Sequence, residues 1–178
     1  MIISLILLTL AIRSTSPNNS KVMNIMISDD AIENPIEYLK EILSKEFQDF
    51  PDGDKVFKGI QPREYDEFAK YCTYLFSDSM VMLNFIRKSP YKQLEPTFIH
   101  SDEMMGDITC ILYLTQNPPK DDGTIFYNDD EEISCEVRAK FNRMVAFDSS
   151  IKHSRAIFDN YGEGDDARLI QVVFLKKL

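Results

Sequence analysis

Histidine is nearly absent from this chain: His100 and His153 are the only two among 178 residues. Cysteine is scarce as well. Cys72, Cys110 and Cys135 form no metal-type cluster and cannot all pair with one another, so they read as reduced core residues. Basic charge is in deficit, with 20 Lys+Arg against 29 Asp+Glu and a formal net charge of −9. That balance repels phosphate backbones and anionic lipid surfaces, so nucleic acid is not an expected partner. The apolar run at residues 2–12 is too short for a comfortable membrane span and lacks the basic residues that precede a signal peptide's apolar core. It leaves three readings: a weak signal or anchor, a strand or helix packed on the domain, or an extension upstream of a start at Met23 or Met26. With the polar stretch at 14–21 it gives an apolar/polar N-terminal extension, residues 1–22, ahead of a single domain at 23–178 that is expected in the cytoplasm.

What is present begins with helical periodicity. Asn34 suits a helix cap and Pro35 a first helical position; Ile36, Leu39, Ile42, Leu43 and Phe47 then recur mostly every three or four residues. Residues 50–54 are turn chemistry, and a second helix is expected over 63–76, with Tyr65, Phe68, Tyr71, Cys72 and Leu75 on one side. After residue 78 the period becomes that of strands, at 80–87, 95–100, 107–115, 123–127, 133–138, 144–148, 152–156 and 168–175. Two helices followed by many short strands argue for a mainly β (α+β) fold, a sandwich or barrel with the helices outside it, and against a βαβ chain.

Against that framework the scarce histidines gain meaning. On an extended strand His100 and Asp102 project to one side, roughly 6.6 Å apart at Cα. If a later strand brings His153 to the same point, two imidazoles and one carboxylate make a facial triad with open metal positions.

The order His100-x-Asp102, His153, then Arg168 at the head of a final apolar strand resembles the Fe(II)/2-oxoglutarate-dependent dioxygenase superfamily, near its prolyl-4-hydroxylase-like branch. Cys110-Ile111-Leu112-Tyr113-Leu114-Thr115 resembles that family's strand after the His-x-Asp motif, and Gly123-Thr124-Ile125-Phe126 its entry to the next. Val145-Ala146-Phe147-Asp148 leads into His153 as it does there. The resemblance implies a double-stranded β-helix, or jelly roll, with the N-terminal helices packed on the outside of the sheet. It implies Fe(2+) held by His100, Asp102 and His153, with 2-oxoglutarate and O2 as co-reactants and succinate and CO2 as products. Arg168 would pair with the distal carboxylate of 2-oxoglutarate and Tyr113 would hydrogen-bond to it. Hydroxylation of a protein, peptide or small-molecule substrate is the implied outcome. The alternative is a jelly-roll metal-binding or structural module without oxygenase activity.

Strand parity tests the placement independently. If Arg168 faces the barrel interior, so do Ile170, Val172 and Phe174, while Leu169, Gln171, Val173 and Leu175 face the other layer. Tyr113 likewise groups with Thr109 and Ile111, and away from Cys110, Leu112 and Leu114. An interior arginine needs a polar or charged partner, which a dicarboxylate ligand would provide. A long insert at 156–166 separates His153 from Arg168, and Arg155 is the rival anchor. A single Gly123, preceded by Asp122, stands where many relatives carry paired glycines. The acidic groups Asp121-Asp122, 129–132 and 163–166 read as solvated loops.

Overall fold

The computed structural model describes residues 7–13, 22–53, 55–94 and 98–178. Residues 1–6 and 14–21 of the N-terminal extension and 95–97 of the expected strand 95–100 lie outside them; the described remainder of that strand is no strand but an isolated bridge at His100, with Asp102 in the loop beyond it. In chain order the elements are β1 (Leu7–Arg13), β2 (Val22–Ser28), α1 (Pro35–Leu43), β3 (Gln48–Asp52), β4 (Lys55–Pro62), α2 (Glu67–Leu75), β5 (Ser79–Ser89) and β6 (Ile108–Tyr113). They continue with β7 (Gly123–Tyr127), β8 (Ile133–Arg138), β9 (Met144–Asp148), β10 (His153–Arg155) and β11 (Arg168–Lys177).

The strands form a large sheet of order β1-β2-β9-β6-β11-β5-β4-β3 and a small one of order β10-β7-β8. All pairings are antiparallel. From β6 onward the chain crosses between the sheets: β6 in the large one, β7 and β8 in the small, β9 in the large, β10 in the small, β11 in the large. This is the jelly-roll weave expected of the sequence, and two facing apolar surfaces hold it together.

Parity holds on both central strands. Ile111, Tyr113, Val172 and Phe174 pack between the sheets with Phe126, Val137, Val145 and Phe147. Their neighbours Cys110, Leu112, Leu169, Val173 and Leu175 face outward, against Leu39 and Ile42 of α1 and Phe68 and Cys72 of α2. Gln171 also faces the helices, donating to Asp66 at 2.9 Å and accepting from the Tyr38 hydroxyl at 2.7 Å. Both helices therefore cover the outside of the large sheet.

The helix ends differ from the periodicity. α1 stops at Leu43, short of Phe47, because the Gln61 amide of β4 takes the Ile42 carbonyl at 3.0 Å and closes the last turn. Asn34 makes no side-chain cap bond. α2 begins at Glu67, capped by Asp66, whose Oδ1 accepts from the Ala69 N–H at 3.1 Å. Arg63, expected inside the helix, instead ties α1 to α2 through Glu41 and Asp66, both at 2.8 Å. The turn expected over 50–54 is narrower: the chain turns at Gly53, with φ 57°, while Phe50, Pro51 and Asp52 belong to β3, which pairs with β4 and extends the large sheet. Among the described residues no helix is long and apolar enough to cross a membrane.

Candidate metal and carboxylate site

His153 opens β10 and faces Phe126 of β7 in the antiparallel register. His100 pairs with it through an isolated bridge, each backbone N–H donating to the other's carbonyl, at 3.0 and 2.8 Å. That bridge brings residues far apart in sequence to ring centroids 4.4 Å apart. Asp102 is fixed by its own N–H to the Ser149 carbonyl, at 2.7 Å. The candidate ligand atoms of His100, Asp102 and His153 all lie within 4.8 Å of one another.

The imidazoles are oriented by the main chain. His100 Nδ1 lies 3.1 Å from the Phe98 carbonyl, and His153 Nδ1 lies 2.9 Å from that of Ile151. A carbonyl only accepts, so each Nδ1 carries a proton, and Nε2 is the ring nitrogen left to face a metal. Those two Nε2 atoms face the carboxylate, at 3.6 Å from Asp102 Oδ1 and 3.3 Å from Oδ2. Two ligands at right angles, each about 2.1 Å from an ion, stand roughly 3 Å apart, so the spacing suits a facial set slightly opened. Thr109 donates to Asp102 Oδ2 at 3.2 Å, and the Phe147 ring packs edge-on against His153 at 4.7 Å. Second-layer contacts of this kind set ligand direction and basicity.

The triad opens on a cavity of about 250 Å³, walled by Phe85, Ile111, Val172 and Phe174 on the apolar side. Phe98 lines it and is 57% exposed, which marks the opening. Both rival anchors, Arg155 and Arg168, reach this cavity, and Arg87 joins them. Arg155 is steered by the insert, donating from Nη2 to Asn160 Oδ1 at 2.5 Å.

Arg168 is placed differently. It is 5% exposed, and its Nε donates to both oxygens of Asp122, at 3.0 and 3.2 Å. Asp122, expected in a solvated loop, is only 1% exposed: burial is tolerated because Arg168, the Tyr161 hydroxyl at 2.7 Å and the Gly123 N–H at 2.8 Å surround its carboxylate. Asp121, the 129–132 group and the 163–166 group are exposed, as expected. Gly123 itself (φ 156°) sits where a Cβ would meet the Val137 carbonyl at 2.2 Å, which is why the strand entry needs glycine. Tyr113 is buried, and its hydroxyl meets Thr124 Oγ1 at 2.7 Å; Thr124, not Tyr113, lines the cavity. Thr124 lies two positions along β7 from Phe126, the residue opposite His153, so the two stand roughly 7 Å apart at Cα.

Sequence reasoning passed over Asp122, Tyr161 and Thr109. The signal for Asp122 was a carboxylate at the strand entry in place of glycine, on a chain with an interior arginine in need of a partner.

No family model matches the sequence, and no curated protein matches it. Solved structures do. SnoN, a non-heme alpha ketoglutarate dependent epimerase from nogalamycin biosynthesis, superposes with a TM-score of 0.59 at 14% identity, over 84% of this chain and 76% of its own. HygX from Streptomyces hygroscopicus, solved with nickel and 2-oxoglutarate bound, gives 0.57 at 9% identity over 84% and 81%. EctD from S. alaskensis, in its apoform, gives 0.56 at 10% identity over 94% and 83%. What this chain shares with them is the fold, the two-sheet jelly roll.

Proposed function

We propose that this chain is an Fe(II)- and 2-oxoglutarate-dependent dioxygenase with His100, Asp102 and His153 as its iron ligands. The observation that carries the reading is the convergence of two Nε2 atoms and one carboxylate within 4.8 Å, both imidazoles being held by main-chain carbonyls. Arg168 is the anchor for the distal carboxylate, with Tyr113 acting through Thr124 beside it. The order of these residues along the strands supports the prolyl-4-hydroxylase-like branch.

Iron with 2-oxoglutarate and O2 supplies an oxidant able to remove a substrate hydrogen, with succinate and CO2 as coproducts. The chain's own residues prepare for this. Asp102 brings one negative charge to the cation while Thr109 fixes its Oδ2. His100 and His153 would enter through Nε2, their rings held at Nδ1 by the Phe98 and Ile151 carbonyls. Phe85, Ile111, Val172 and Phe174 keep the cavity wall apolar and limit competing water. Hydroxylation of a protein, peptide or small-molecule substrate is the outcome we assign.

The test is spectroscopic. Anaerobic protein given Fe(II) and 2-oxoglutarate should develop the visible charge-transfer band of the chelate, and His100→Ala and Asp102→Ala should abolish it. Wild-type protein without a band, or variants that keep it, would remove the enzyme reading and leave a jelly-roll module that holds another metal or none.

A further inference from the structure

Arg168 does not wait alone for a ligand. A guanidinium presents two usable edges, one including Nε and one formed by its two Nη groups. Here the Nε edge is taken by Asp122, at 3.0 and 3.2 Å, while Arg168 also forms part of the cavity wall. Asp122 is itself held from two further directions, by the Gly123 N–H at 2.8 Å and the Tyr161 hydroxyl at 2.7 Å. Tyr161 belongs to the insert between β10 and β11, and its carbonyl accepts from the Arg168 N–H at 3.2 Å. The insert is thus fastened to the arginine and to the arginine's counter-ion at once.

From this geometry we infer that Asp122 and Tyr161 are positioning residues that set both the direction and the effective charge of Arg168, and so set how strongly the site holds a distal carboxylate. The inference rests on the oxygenase reading above. A carboxylate arriving at the Nη edge meets an arginine already neutralised by a buried carboxylate a few ångströms away. Attraction to the cation is therefore offset by repulsion from Asp122, and a dicarboxylate is held loosely enough to leave. Tyr161 tunes that offset, because its O–H draws negative charge from Asp122. Selection for a distal carboxylate over a plain 2-oxo acid is then set by three residues together, not by Arg168 alone.

The two positioning residues should shift affinity in opposite directions. Asp122→Asn keeps an oxygen to accept from Nε and Gly123 while removing the charge, and Tyr161→Phe removes the O–H that moderates Asp122. The experiment is calorimetric titration of Mn(II)-loaded protein with 2-oxoglutarate and, separately, with 2-oxobutanoate, which lacks the distal carboxylate. Asp122→Asn should bind 2-oxoglutarate about tenfold more tightly. Tyr161→Phe should bind it about threefold more weakly. Neither should change 2-oxobutanoate. An unchanged 2-oxoglutarate affinity in both variants, or equal shifts for the two ligands, overturns the inference while the oxygenase reading stands. If wild-type protein binds neither ligand, both readings fall together. Should Asp122→Asn fail to fold, Tyr161→Phe, at a half-buried position, decides alone.

Discussion

The two ends of the cavity are built on different principles. At the proposed metal end, three donor groups converge: Asp102 faces the two Nε2 atoms across 3.3 and 3.6 Å. At the anchor end, the cation Arg168 already has its anion, Asp122, and both are almost wholly buried. Under the proposed function an ion completes the metal end. The Arg168–Asp122 pair is complete as folded, so it bears on stability, and under the proposed function a ligand there joins a neutral pair. Substitutions at the two ends should therefore separate stability from metal affinity.

The largest effect is expected at the anchor end, in stability. Arg168→Met leaves Asp122 buried without a cation, and removing one partner of a buried pair costs about 3–5 kcal/mol. Urea denaturation of the metal-free protein measures this. Adding Asp122→Asn to the same chain should recover most of the loss, since the uncompensated charge is gone. Mn(II) affinity should stay near wild type throughout. An Arg168→Met protein as stable as wild type would mean that the pair contributes nothing to the fold, and the contrast between the two ends would collapse.

Much of this layout was legible beforehand, for reasons that can be named. The alternation along β6 and β11 separates interior from helix-facing residues because a strand has period two, and both strands lie between two apolar surfaces. His100, Asp102 and His153 stood out because few residue types make such a ligand set and this chain holds only two histidines, but of the three only His153 stands on a strand; His100 makes an isolated bridge and Asp102 lies in the loop beyond it. What stayed hidden depended on long-range contacts. The C-terminus of α1 is set by Gln61, and the hairpin of β3 and β4 by its pairing with β5, neither of which leaves a local pattern. Asp122 looked like half of a solvated acidic pair because sequence does not show that β11 delivers Arg168 beside it. The requirement that an interior arginine find a partner was sound; part of that partner is supplied by the chain itself.

A smaller effect is expected at the metal end, in affinity. Thr109 is fully buried, donates to Asp102 Oδ2 and lies 2.8 Å from Ser149 Oγ. Thr109→Val keeps the shape and removes the hydroxyl, so Asp102 is free to turn. Mn(II) binding should weaken about tenfold, as for other groups that orient a metal ligand. The accompanying stability loss should be about 1 kcal/mol, well below that of Arg168→Met. Unchanged metal affinity would assign the orientation of Asp102 to its backbone bond with Ser149 alone.

The smallest effect belongs to Tyr113, and it refines the boundary between the two ends. Burial holds its hydroxyl protonated well above the usual tyrosine range, so the group acts only as a hydrogen-bonding partner. That partner is Thr124, which stands on the cavity wall. Tyr113→Phe should cost about 1 kcal/mol of stability, through the Thr124 hydroxyl it leaves behind. Because Tyr113 reaches a ligand only through Thr124, 2-oxoglutarate affinity should fall about twofold, with Mn(II) affinity unchanged. A loss as large as that caused by Arg168→Met would show that Tyr113 touches the distal carboxylate directly, with Thr124 displaced from the wall when the ligand binds.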